Sequence, residues 1–181
     1  FPQSITGQMP ILAKWAPHVE TGHWPDADML PIGYLGPRPG WGDARQSRFT
    51  PDETRTLLTL WSIARSPLVL GANLTRIDPA TEALLTNREV LAVDQHSSGN
   101  HAAIETPDTV VWTANLDGGG KAVAVFNLSA APASVKYPWT AVGLKGSNYA
   151  VRNLWDQKDL GKQAELSVQL APHASALFSL R

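Results

Sequence analysis

Gly22-His23-Trp24-Pro25-Asp26-Ala27-Asp28-Met29-Leu30-Pro31-Ile32-Gly33 concentrates two carboxylates, a tryptophan, a methionine and a histidine in one short run. Read as a strand over residues 26–32, it turns Asp26 and Asp28 to the same face, because side chains alternate along an extended chain. Met29, Leu30 and Ile32 then supply the apolar part of a buried strand with acids at one end. Buried carboxylates are costly unless they are paired, hydrogen-bonded or put to use. The run is therefore a candidate piece of an active site.

The flanking sequence sets this strand in an α/β context. Upstream, residues 4 to 18 can form a helix with Met9, Leu12, Ala13 and Ala16 on one face, weakened by Gly7 and Pro10. Downstream, residues 33–49 are rich in Gly, Pro and Arg and read as a long loop. Thr50-Pro51-Asp52-Glu53 opens the clearest helix, running to Arg65. Thr50 is an N-cap, Pro51 fits the first helical position and Glu53 completes a capping box. Leu57, Leu60, Trp61 and Ala64 recur at the spacing of one buried face. Ser66-Pro67 ends the helix, and Leu68-Val69-Leu70 reads as a short strand buried on both faces, as in parallel sheets. Asp78-Pro79 starts another helix through Leu85, and Asn87 restarts a last one through Val93. Strand and helix alternate, the grammar of a parallel α/β fold. Two strands cannot close a barrel, so most of that sheet is expected upstream of Phe1.

Near residue 100 the pattern changes to alternation. Strands are expected at Ala102–Thr106, Val110–Asn115, Ala122–Leu128, Ser134–Tyr137, Tyr149–Trp155, Leu166–Leu170 and Ala174–Leu180, with Gly118-Gly119-Gly120 turning between two of them. Short strands separated by turn residues argue for an antiparallel β-sandwich. The expected division is residues 1–98 as an α/β part and 99–181 as the sandwich.

Composition excludes several functions. Fifteen basic against sixteen acidic residues, without a basic run, leave no nucleic-acid footprint and no polybasic membrane patch. No apolar stretch reaches the length of a membrane span. The chain has no cysteine, which removes disulfides, thiolate metal sites and thiol nucleophiles together and fits either redox compartment. His18, His23, His96, His101 and His173 show no metal-ligand spacing. Seven tryptophans are many, and flat aromatic faces suit sugar rings as well as cores. For Trp112, Trp139 and Trp155 the expectation is core or interface.

Asp26 and Asp28 admit two readings. Retaining glycoside hydrolysis uses two carboxylates about 5–5.5 Å apart, and same-face strand neighbours come near that separation. Equally, either acid can tie down a loop or backbone N–H groups. Spacing alone leaves the two level. Arg38, Arg45 and Arg48 follow in the loop and can orient a carboxylate or clasp a substrate oxygen, although loop arginines are mostly solvated. His23 is the one histidine beside the acids. Gly36, Gly40 and Gly42 do not form a dinucleotide signature.

Gly22-His23-Trp24-Pro25-Asp26-Ala27-Asp28-Met29-Leu30 resembles the W-N-D-P-D-M-L segment of glycoside hydrolase family 27, the retaining α-galactosidases and α-N-acetylgalactosaminidases. The likeness continues through Leu60-Trp61-Ser62-Ile63-Ala64-Arg65-Ser66-Pro67-Leu68 and Gly71-Ala72-Asn73-Leu74. It runs on to Leu84-Leu85-Thr86-Asn87-Arg88-Glu89-Val90-Leu91-Ala92-Val93-Asp94-Gln95. The resemblance implies the last strands and helices of a (β/α)₈ TIM barrel followed by a C-terminal antiparallel β-sandwich. It implies that the nucleophile and acid/base are on earlier strands, upstream of Phe1, so that no catalytic residue is in this chain and Asp26 and Asp28 are not the catalytic couple. Asp28 and Met29 are implied to contact the sugar, with Asp26, Trp24 and His23 supporting them from behind. Pro25 and Ala27 depart from the family's Asn and Pro. The implied substrate is a galactoside-type carbohydrate, with no cofactor and no metal, and an extracellular or periplasmic setting is favoured.

Overall fold

The computed structural model describes residues 5–37 and 42–181. Arg38 and Gly40, and the first residue of the helix expected from position 4, lie outside them. Helix α1 spans Gln8–Trp15 and passes into a 3-10 turn, Ala16–His18. Its α-helical part is shorter than expected: Ile5 and Thr6 precede it in a π-type turn, and Gly7, itself in the right-handed helical region, makes no side-chain cap. Pro10 falls within the first turn, where its missing N–H costs nothing, and Met9 and Leu12 are buried as read.

The strand expected over residues 26–32 does not form. Only Leu30 makes a parallel bridge, to Leu70, through Leu30 N to Val69 O at 2.8 Å and Gly71 N to Leu30 O at 2.9 Å. Pro25 and Pro31 carry no N–H, and Asp28 adopts φ 74°, which breaks any extended run. Leu68-Val69-Leu70 is correspondingly reduced to that bridge, and Val69 is 56% exposed instead of covered on both sides. The 33–49 loop carries a small hairpin, β1 (Tyr34–Leu35) and β2 (Arg45–Gln46).

Helix α2, Pro51–Ala64, obeys its sequence signals. Thr50 Oγ1 accepts from Glu53 N at 3.2 Å while the Glu53 carboxylate accepts from Thr50 N at 2.8 Å. Leu57, Leu60, Trp61 and Ala64 are buried. Arg65 ends the helix in the left-handed region at φ 58°. Helices α3 (Pro79–Leu85) and α4 (Arg88–His96) start at the Asp78 and Asn87 caps, with α4 running three residues past Val93.

Eight strands follow: β3 (Ser98–Glu105), β4 (Thr109–Asn115), β5 (Lys121–Asn127), β6 (Ala133–Pro138), β7 (Tyr149–Asn153), β8 (Lys158–Gln163), β9 (Glu165–Leu170) and β10 (Ser175–Leu180). One antiparallel sheet has the order β3-β4-β5-β10-β7-β8; the other pairs β6 with β9. Alternation distributes the central strands between two cores. Trp112, Ala124, Phe126 and Leu177 turn to the core shared with α2 and α4, whereas Val123, Val125, Phe178 and Leu180 meet the β6–β9 sheet. That double burial makes β5 apolar on both faces. Trp112 and Trp155 belong to the first core and Trp139 to the second, as read. Asn127 is fully buried and ties the sandwich ends, its Nδ2 donating to Ala131 O and Ala171 O, both at 2.8 Å.

The helices and the sandwich are joined by polar staples as well as apolar contact. Thr56 Oγ1 donates to His173 O at 2.8 Å. Thr59 Oγ1 accepts from Trp155 Nε1 at 2.8 Å and lies 3.1 Å from Ser175 Oγ. Asn87 Nδ2 donates to Leu154 O at 2.9 Å, and Arg152 clasps both oxygens of Glu89 at 2.7 and 2.8 Å. Burial pushes the Glu53 carboxyl up, but hydrogen bonds from Thr50 and from His173 outweigh it and hold the group below its ordinary pKa.

Candidate active site

The segment Trp24–Leu30 hangs on three neighbours. Ala27 N donates to the buried Ser66 hydroxyl at 2.9 Å. Trp61 Nε1 donates to the Asp28 carbonyl at 2.8 Å. Leu30 is held by the bridge to Leu70. Between these fixed points the two acids organise the backbone. Asp26 Oδ1 accepts from Asp28 N at 2.9 Å, and Asp28 Oδ1 accepts from Met29 N at 2.6 Å. Aspartate is one of the few non-glycine residues that tolerates the left-handed conformation found at Asp28.

The same-face pairing of Asp26 and Asp28 is thereby overturned. Asp26 folds back on the backbone of the loop, the behaviour of an Asx turn, and has no strand to stand on. Asp28 and Met29 remain together: both line a cavity of about 220 Å³ whose apolar wall is Leu57 and Trp61. Met29 also borders a second cavity of about 310 Å³, with Leu35, Asp43, Arg45 and Gly71. A Cβ placed on Gly71 would lie 2.8 Å from the Met29 sulfur, so only glycine leaves the thioether its present seat.

His23 and Trp24 lie elsewhere. They line a separate cavity of about 690 Å³ with Trp15, His18 and Glu20. His23 Nδ1 is 3.3 Å from Glu20 Oε1, with both side chains exposed. Arg45 Nη1 donates to the carbonyl of Gln46, and Arg48 is exposed. Among the described residues no cluster of His, Cys, Asp or Glu could hold a metal ion. Trp61, Ser66 and Gly71, which build the site, carried no functional signal in the sequence; their roles arise from contacts across 33 to 42 positions.

A solvent-facing carboxylate beside a soft apolar side chain can accept hydrogen bonds from ring hydroxyls while the thioether packs on the ring face.

Comparison with known proteins identifies the family. Residues 11–96 match the family model described as alpha galactosidase A, and residues 106–180 match the alpha galactosidase C-terminal beta sandwich domain. The chain belongs to the α-galactosidase family of glycoside hydrolases, family 27. It is similar to the structure of a β-L-arabinopyranosidase of this family from Geobacillus stearothermophilus, at 41% identity and TM-score 0.93, covering 98% of this chain and 41% of that one. It is also similar to α-galactosidase I from Mortierella vinacea, at 25% identity and TM-score 0.80, over 93% of this chain and 42% of that one. An α-galactosidase of Oryza sativa subsp. japonica is 29% identical over 98% of this chain and 40% of its own length. The chain thus spans about two fifths of the relatives it matches: the end of the catalytic domain, then the antiparallel sandwich.

Proposed function

We propose that this chain is the sugar-gripping end of a retaining glycosidase that removes a terminal galacto-configured sugar, an α-D-galactoside in the first place. The observation that carries the reading is the Asp28–Met29 pair, held at the rim of a cavity by α2 and the Leu30–Leu70 bridge. Loops at the C-terminal ends of barrel strands are where such enzymes bind substrate. Asp28 accepts hydrogen bonds from ring hydroxyls, and Met29 covers the apolar ring face. The nucleophile and the acid/base come from earlier strands, so residues 1–181 alone are inactive. No cofactor is required, since two carboxylates carry this chemistry. Residues 1–98 then act as the end of the barrel and 99–181 as its appended sandwich.

The likeness to an arabinopyranosidase favours a second substrate on the same site. L-Arabinopyranose is D-galactopyranose without its exocyclic hydroxymethyl group. A variant of the Geobacillus enzyme has been seen in complex with arabinose. The two readings differ in whether the pocket rewards that group.

Asp28→Asn, which keeps a side chain suited to the left-handed backbone, should lower kcat/KM of the complete enzyme by about 10²-fold, the worth of a charged hydrogen bond or two. Its melting temperature should hold. Kinetics on 4-nitrophenyl α-D-galactopyranoside and β-L-arabinopyranoside measure both points. Near-normal kcat/KM in the variant removes Asp28 from the site, and the faster wild-type substrate fixes the sugar. A saturable tryptophan-fluorescence response of residues 101–181 to galactosides would instead favour a binding role for the sandwich.

A further inference from the structure

Asp28 is held in an unfavourable conformation by a residue that is almost wholly buried. Its φ of 74° is left-handed, and its carbonyl points into the protein. There the oxygen meets the indole N–H of Trp61 at 2.8 Å. Trp61 is 2% exposed, and an indole has a single N–H to donate. Spending that donor on one loop carbonyl, 33 positions away, fixes the plane of the peptide that joins Asp28 to Met29. The same peptide's N–H is turned back to Asp28 Oδ1 at 2.6 Å. One hydrogen bond therefore orients the carboxylate and sets the departure of the Met29 side chain.

The helix that carries the indole is itself anchored. Thr56 and Thr59 bind α2 to the sandwich through His173, Trp155 and Ser175. The loop is thus referenced to a helix that is tied to the sandwich.

We propose that Trp61 is a positioning residue for sugar recognition, its indole N–H clamping the Asp28 carbonyl so that Asp28 and Met29 face the substrate. This rests on the reading of Asp28 as a sugar contact. Without the clamp the left-handed residue relaxes, the Asp28–Met29 peptide turns over, and the carboxylate swings off the ring hydroxyls.

The test compares three variants of the full-length hydrolase. Trp61→Phe keeps an aromatic ring in the core but deletes the donor together with part of the indole's volume. Leu60→Val, at the neighbouring fully buried position, removes packing without touching the loop. Asp28→Asn reports on the underlying reading. Trp61→Phe should lower kcat/KM by about tenfold, mostly through a higher KM, while Leu60→Val stays within about twofold at a comparable loss of melting temperature. Equal effects of the two core variants on kcat/KM would overturn the proposal and leave Trp61 a packing residue. If Asp28→Asn is active, the sugar contact is wrong, and the clamp is then judged on the 181-residue chain by nuclear magnetic resonance. There Trp61→Phe should move the amide signals of Asp28 and Met29 and change the Asp28 HN–Hα coupling; unchanged values would overturn the clamp as well.

Discussion

Gly71 shows how one absent methyl group can shape a site. The Met29 thioether fills the space a Cβ on Gly71 would need, and Met29 lines both the cavity that holds Asp28 and the one bordered by Asp43 and Arg45. The sulfur is the mobile end of a flexible side chain, so Gly71→Ala should move Met29 and spare the backbone. The chain has only two methionines, and Met9 is buried in α1. In a spectrum of ¹³C-methyl-labelled methionine, Gly71→Ala should shift the Met29 signal and leave that of Met9 in place. A still Met29 signal would mean that the loop yields instead. Kinetics of the full-length enzyme should show a raised KM, and Gly71→Ala should raise it no further in a Met29→Ala background.

Asp94 offers a residue-scale test by pH. It faces a cavity of about 370 Å³ walled by Leu58, Leu68, Leu70 and Val90. Burial raises its pKa to about 6, and the charge of Arg65 offsets only part of that effect. A carboxyl with a raised folded-state pKa stabilises fully below its unfolded value, near pH 4, and loses that contribution as pH rises through about 6. Asp94→Asn should therefore raise the melting temperature at pH 7.5 by about 2–4 °C, corresponding to roughly 1 kcal/mol in a chain of this size. The gain should vanish at pH 4. Thermal melts at the two pH values decide it, and an equal shift at both would refute the assignment.

At the scale of elements, the staple between α2 and the sandwich matters most. Thr59 is fully buried and takes the Trp155 indole N–H. Thr59→Val keeps the shape and orphans that donor, a cost of about 1–3 kcal/mol. Melting should fall by several degrees, with the helix and strand signals lost together if α2 and the sheet unfold as one unit. Two separated transitions would show that they do not.

Elements were legible where their causes were local. The capping box of α2, the Asp78 and Asn87 caps and the alternation of β4, β5 and β10 are short-range patterns, and each formed where expected. The strand β8 was missed because Lys158–Gln163 is polar and almost wholly exposed, so no buried face marks it. The 26–32 strand was wrongly expected for the opposite reason. Its apolar residues imitate a strand, but two prolines, the Asx turn at Asp26 and a clamp from Trp61 decide its shape. Asp28 and Met29 could be picked out by family resemblance; the residues that aim them could not, because their contacts exist only in three dimensions.

For the whole molecule, the important surface is the one left uncovered. Ile11, Trp15, Trp24 and Val69 are between 46% and 56% exposed on the α/β part. Trp15 and Trp24 share the wall of one cavity, and contiguous apolar exposure of that kind marks a surface made to be covered. The relatives, of which this chain spans about two fifths, carry the rest of the catalytic domain, a candidate cover. The purified 181-residue chain should associate with rising concentration in sedimentation velocity. A monodisperse monomer throughout would show that these residues tolerate water as they stand.

The buried Asn127 side chain has a consequence for anyone producing the protein. With Leu128 and Ser129 it forms an N-x-S acceptor tripeptide, the signal for attaching a glycan in a eukaryotic secretory pathway. Its amide nitrogen is already spent on Ala131 and Ala171, inside the closed end of the sandwich. An oligosaccharide added there before folding would wedge the strand ends apart, so a glycan on Asn127 and a closed domain exclude one another.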